Sequence, residues 1–95
     1  MERFRRVEGC LDYRIYVCSL AGMRSDQMRV ELCSRLGGLG RAEPERMGVI
    51  YIRGGWGFLV IPPVGFPELK VTVFRETEPE TEHAVLSQIA DILGT

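Results

Sequence analysis

The sequence predicts an α+β fold: a two-layer sandwich in the order β-α-β-β-β-α, its sheet largely antiparallel and its helices on one face. Three observations predict it. Leu69, Lys70, Val71, Thr72 and Val73 alternate with the period of a strand that has one face in a core and one wet face. Gly54-Gly55 separates two β-rich runs by the two residues of a tight hairpin turn. Val85, Leu86, Ile89, Ile92 and Leu93 fall on one stripe at helical spacing.

Each element has a local reason. Tyr13 to Cys18 is aromatic and β-branched and reads as the first strand. Ala21-Gly22 breaks it, and Ser25 or Asp26 caps a helix running to residue 36, with Met28, Leu32 and Leu36 one turn apart and Cys33 on their flank. Gly37-Gly38 ends that helix, and residues 37–46 read as a loop. Residues 48–53 form a second strand and residues 56–61 a third, which Pro62-Pro63 must end because neither proline donates to a ladder. Residues 68–75 are the fourth strand. The chain closes with a helix over about 78–93: Thr77 three before Glu80 is a capping-box pattern, Pro79 tolerates the first turn, and Glu78, Glu80 and Glu82 suit the positive helix start.

The 95 residues are read as a single domain with residues 1–12 as an N-terminal extension. A composition that is 45% hydrophobic and 26% charged excludes a disordered tail, a collagen-like chain and a coiled-coil rod. The net charge of -1 argues against electrostatic nucleic-acid binding. Charge is uneven: residues 1–53 carry ten Arg against seven Asp and Glu, and residues 54–95 two basic residues against six acidic ones. That asymmetry is compatible with head-to-tail or homodimeric contact as well as with a plain solvated surface. No run approaches the ~20 apolar residues of a membrane span, and the basic start of the chain lacks the ~7–15 apolar residues of a signal peptide. Cys10, Cys18 and Cys33 have neither disulfide-framework nor zinc spacing, so reduced thiols and a cytoplasmic location are expected.

Residues able to carry chemistry are few. His83, the only histidine, stands among acids at the start of the last helix without a second His or Cys, which suits a surface residue better than a metal ligand. No signature puts it beside a cysteine as a base beside a nucleophile. Gly37-Gly38-Leu39-Gly40-Arg41 follows a helix and lacks the strand-loop-helix context of a phosphate loop. No catalytic residue, metal ligand or cofactor is expected. Arg53, Lys70 and Arg75, on strands or strand ends, are the donors left for an anion near residues 61–67, or else charges that discourage edge pairing. Trp56, Phe58 and Phe66 flank the loop at 61–67 and read as an apolar contact patch, with core packing the equal alternative for Trp56 and Phe58. Phe66, between Gly65 and Pro67, is the best candidate for contact with a partner.

The segment Gly55 to Leu93 resembles the C-terminal domain of the phosphohexomutases, the phosphoglucomutase and phosphomannomutase superfamily. In that family a strand after a glycine turn runs into a loop of the form R-P-S-G-T-E-P, followed by a strand and a Glu-rich final helix. Here residues 55–60 lead into Ile61-Pro62-Pro63-Val64-Gly65-Phe66-Pro67, then Leu69 to Val73 and the helix. The upstream strand, the helix with Met28-Arg29 and Leu32, and the strand at Gly48-Val49 extend the likeness over most of residues 13–93. It looks closest to the degenerate copies appended to sugar nucleotidyltransferases. The loop departs from the family: Ile61 stands for its Arg, Pro63 for its Ser, Val64 for its Gly, Gly65 for its Thr and Phe66 for its Glu, while Pro62 and Pro67 are kept. An anion loop needs amide donors and a bidentate Arg, and Pro63 removes a donor.

The resemblance therefore implies a stand-alone, non-catalytic domain that acts by protein–protein contact, or as an accessory to sugar-phosphate and sugar-nucleotide metabolism. Its partners would be a second copy of itself or a sugar-nucleotide or mutase enzyme, with neither nucleic acid nor membrane. The alternative is a regulatory module that binds a sugar phosphate or other anion. The binding residues expected are Arg53, Pro62, Pro63, Gly65, Phe66, Lys70 and Arg75.

Overall fold

A computed structural model describes residues 4–7, 12–19, 33–63, 66 and 68–93. It is a small α+β domain built on one sheet. The strands are β1 (Phe4–Val7), β2 (Tyr13–Ser19), β3 (Arg41–Ala42), β4 (Ile50–Gly54), β5 (Gly57–Ile61) and β6 (Glu68–Phe74). They lie in the order β1-β2-β6-β5-β4-β3, and every neighbouring pair is antiparallel. Residues 33–36 form a helical turn (α1) that tightens into a 3-10 turn at Gly37–Leu39. The final helix is α2 (Pro79–Ile92).

The four expected strands and the final helix are present, and two short strands are added at the sheet's margins. Within the N-terminal extension, residues 4–7 form an edge strand: Phe4 pairs with Cys18 and Val7 with Ile15. Phe4 is buried on the core face, while Arg5 and Arg6 keep the new edge charged. The loop expected over 37–46 contains β3, because Ala42 pairs with Ile52 and the Glu43 amide donates to Tyr51 O at 2.8 Å. Pro44 and Glu45 then stand opposite the single Ile50, a bulge that suits a proline without a donor. A second pairing, Arg46 with Val49, closes over Met47 and Gly48. Both have positive φ, 52° and 82°, which is the backbone of a type I′ hairpin turn. Of the expected helix over 26–36, only the last turn falls among the described residues, and there Leu36 is fully buried.

Three smaller expectations are corrected. The β4–β5 turn is Gly55-Trp56, one residue later than Gly54-Gly55, because Gly54 itself pairs with Gly57. The capping box does not form: Glu78 is the N-cap residue of α2 without a side-chain cap, and Thr77 Oγ1 instead donates to Trp56 O at 2.8 Å. Thr72 is not wet although it lies on the face away from α2, being only 3% exposed between Ile15 and Phe58.

The core lies between one face of the sheet and α2. Leu69, Val71 and Val73 of β6, Leu59 and Ile61 of β5 and Ile52 of β4 meet Val85, Leu86, Ile89 and Ala90 of the helix. The helix is also held by charge. Arg14 Nε donates to Glu82 Oε1 at 2.6 Å, Arg14 donates to Thr77 O at 2.7 Å, and Tyr16 Oη donates to the same carboxylate at 3.0 Å. Burial, and then the acceptor carboxylate of Glu82, raise the Tyr16 pKa above 10.0. No helix among the described residues is long and apolar enough to cross a membrane.

Candidate functional site

With α2 on one side, the sheet has a second face that none of the described helices covers. Strand alternation and register assign its residues. Tyr13, Ile15 and Val17 of β2 lie beside Phe74, Thr72 and Lys70 of β6. Phe58 and Val60 of β5 continue the rows from Thr72 and Lys70, and Arg53 and Tyr51 of β4 follow. Val7 and Arg5 stand at the β1 margin, Arg41 at the β3 margin.

The centre of this face is aromatic. Tyr13 lies 6.4 Å from Phe58 and 6.2 Å from Phe74, Phe58 lies 6.4 Å from Phe74, and Tyr51 lies 6.2 Å from Phe58, all between ring centroids. The rings are tilted or edge-on, the arrangement their quadrupoles favour. Phe58, Phe74 and Tyr51 are half-buried and Tyr13 is 40% exposed, so the cluster is a patch open to solvent. Arg53 spreads its guanidinium over two of the rings, 5.3 Å from the Tyr51 centroid and 5.2 Å from that of Phe58. Charges of both signs rim the patch: Arg53 Nε meets Glu43 Oε1 at 3.0 Å, and Arg5 meets Glu68 Oε2 at 3.2 Å at the other margin. A shallow hollow at the turn end of the face is lined by Asp12, Tyr13, Phe74, Arg75 and Glu76.

The expected site residues do not come together. Arg53 pairs with Phe58 beside the β4–β5 turn, and Arg75 follows β6 at that same end. The 61–67 loop is at the opposite end, past Ile61, three strand residues or ~10 Å from the Phe58 level. Of the three cations, only Lys70, level with Val60, is near the loop. Pro62 and Pro63 are half-buried, and Pro63 O accepts the Phe66 amide at 3.1 Å. Phe66 is 59% exposed. Gly65 lies outside the described residues, as does Cys10. Trp56 is a core residue whose Nε1 donates to Leu39 O at 2.8 Å, but Phe58 is not: it faces the open side.

His83 is exposed on α2, and Cys18 is buried in the core. Among the described residues no three His, Cys, Asp or Glu side chains gather in a way that could hold a metal. The residues missed by sequence reasoning are Tyr13, Tyr51 and Phe74 with Arg5 and Arg41. A signal for the two tyrosines exists: the positions alternating with the core residues of β2, β4 and β5 include Tyr13, Ile15, Val17, Tyr51, Phe58 and Val60, where a solvated face calls for polar residues. No protein-family model, curated protein or solved structure matches the chain.

Proposed function

We propose that this chain is a non-catalytic contact module that docks a polypeptide on the open face of its sheet. The observation that carries the reading is the makeup of that face: an aromatic and aliphatic centre, interrupted among the described residues by one charge, Lys70, and rimmed by arginines and paired acids. Protein interfaces concentrate aromatic residues and arginine in this way, with an apolar centre and a polar rim. Contiguous exposed apolar surface on a small chain marks an interaction site. The anion-binding alternative is less well supported, because Arg53 and Arg75 sit at the end of the sheet away from the proline loop and cannot converge there with Lys70. The sequence resemblance to the phosphohexomutase C-terminal domain does not carry this reading, since even a shared fold would not assign a function.

Site-specific photo-crosslinking tests this. A photoreactive residue replacing Val60, on the open face, is expected to trap discrete polypeptides in cell extract. The same residue replacing Gln88, exposed on α2, is expected not to. Absence of polypeptide adducts at position 60, or the same adducts from both positions, would overturn the reading.

A further inference from the structure

Resting on the reading of the open face as a protein-contact surface, we infer that its occupant is a second copy of this chain, packed sheet to sheet about a two-fold axis parallel to the strands. Area and charge carry the inference. Six strands ~4.8 Å apart and about five residues long give a flat footprint of roughly 500 Å². Side-chain relief raises the accessible area so covered toward the ~800 Å² per partner of a stable interface.

The charges choose the axis. In a two-fold contact the same patch meets itself, so its margins must complement each other. Arg5 pairs with Val17, Val17 with Lys70, Lys70 with Val60, and Val60 with Tyr51. The Glu43 amide binds Tyr51 O, so Arg5 and Glu43 stand at one level on opposite margins of the sheet. An axis parallel to the strands lays one margin over the other and sets Arg5 of each copy against the partner's Glu43. The ~30° angle between packed sheets displaces the two by less than an arginine's reach. An axis across the strands would lay each margin on itself, with Arg5 on Arg5. Both side chains are free to exchange partners, since Arg5 is 70% exposed and Glu43 43% exposed. The apolar centres then meet, burying Phe58, Ile15 and Val60 of both copies. Arg53 already covers rings that a nucleobase would need for stacking, which favours a protein occupant. Lys70 is the charge nearest the axis, with its stem between Val17 and Val60 and its head free to run out toward the Glu68 end.

Sedimentation equilibrium on the intact chain and three variants decides the matter. The wild type is expected to dimerise as concentration rises. Arg5→Glu and Glu43→Arg are each expected to weaken dimerisation about tenfold or more, since each change acts twice per dimer. Mixing the two variants is expected to restore it, because every crossed pair is then of opposite sign. Lys70→Leu is expected to tighten the dimer. Thermal melts of each variant separate loss of association from loss of fold. A wild type that stays monomeric, a mixture no tighter than its parts, or a Lys70→Leu chain that binds more weakly would overturn the inference. A monomeric wild type whose position 60 still crosslinks another polypeptide would refute self-association alone and leave the contact-surface reading intact.

Discussion

Arg14 on β2 and Glu82 on α2 meet at 2.6 Å, a direct ionic link between the sheet and its covering helix. Both side chains are largely shielded, 22% and 17% exposed, and Arg14 also ties down Thr77 O where the chain enters the helix. Removing one partner leaves a shielded charge without its counter-ion. Glu82→Gln, which keeps the shape, is expected to destabilise the fold by about 2–3 kcal/mol in urea titration. The exposed pair Arg5–Glu68 is expected to contribute under about 1 kcal/mol to the same measurement.

Tyr16 makes stability depend on alkaline pH. Its folded pKa lies above its unfolded value near 10.0, so the folded chain holds the phenolic proton more tightly. The stability this contributes is complete below pH ~10 and is lost as pH rises through the higher folded pKa. Tyr16→Phe is expected to flatten that loss in unfolding curves taken above pH ~10, while costing about 1 kcal/mol at neutral pH for the hydrogen bond to Glu82.

Gly57 admits no side chain. Its φ is +149°, and a Cβ there would run into the carbonyl oxygen of Thr72 on β6. Because that atom belongs to a central strand, it cannot move without breaking the ladder. Gly57→Ala is expected to cost at least about 3 kcal/mol or to prevent folding. Gly38→Ala is the control: a Cβ there meets nothing within 4 Å, so circular dichroism melts of the two variants should differ widely.

Met47 is 98% exposed and occupies a left-handed turn position with φ 52°. A methionine gains nothing there and bears the steric cost of that conformation. Asparagine tolerates it and favours this turn type. Met47→Asn is expected to raise stability by about 0.5–1 kcal/mol, read as an upward shift in the melting midpoint.

What the chain's order of residues determined by itself is local. The alternation at residues 69–73, the stripe on the last helix and the halt at Pro62-Pro63 could be read directly, because each depends on neighbours within a turn or a strand. The placement of β6 and α2 followed to within a residue or two. Pairing decided the rest. Residues 4–7 and 41–42 are too short and too charged to declare themselves, and become strands only because β2 and β4 offer them partners. The aromatic patch is decided in the same way. Tyr13, Phe58 and Phe74 come from three strands far apart in sequence, and only the antiparallel register of β2, β6 and β5 sets them on one face. That register separates Arg53 from the proline loop and carries Phe58 out of the core, moving the candidate site from a loop to a sheet face. Local periodicity says which side chains share a face of one strand; long-range hydrogen bonding says which strands share a sheet, and the site was a property of the second.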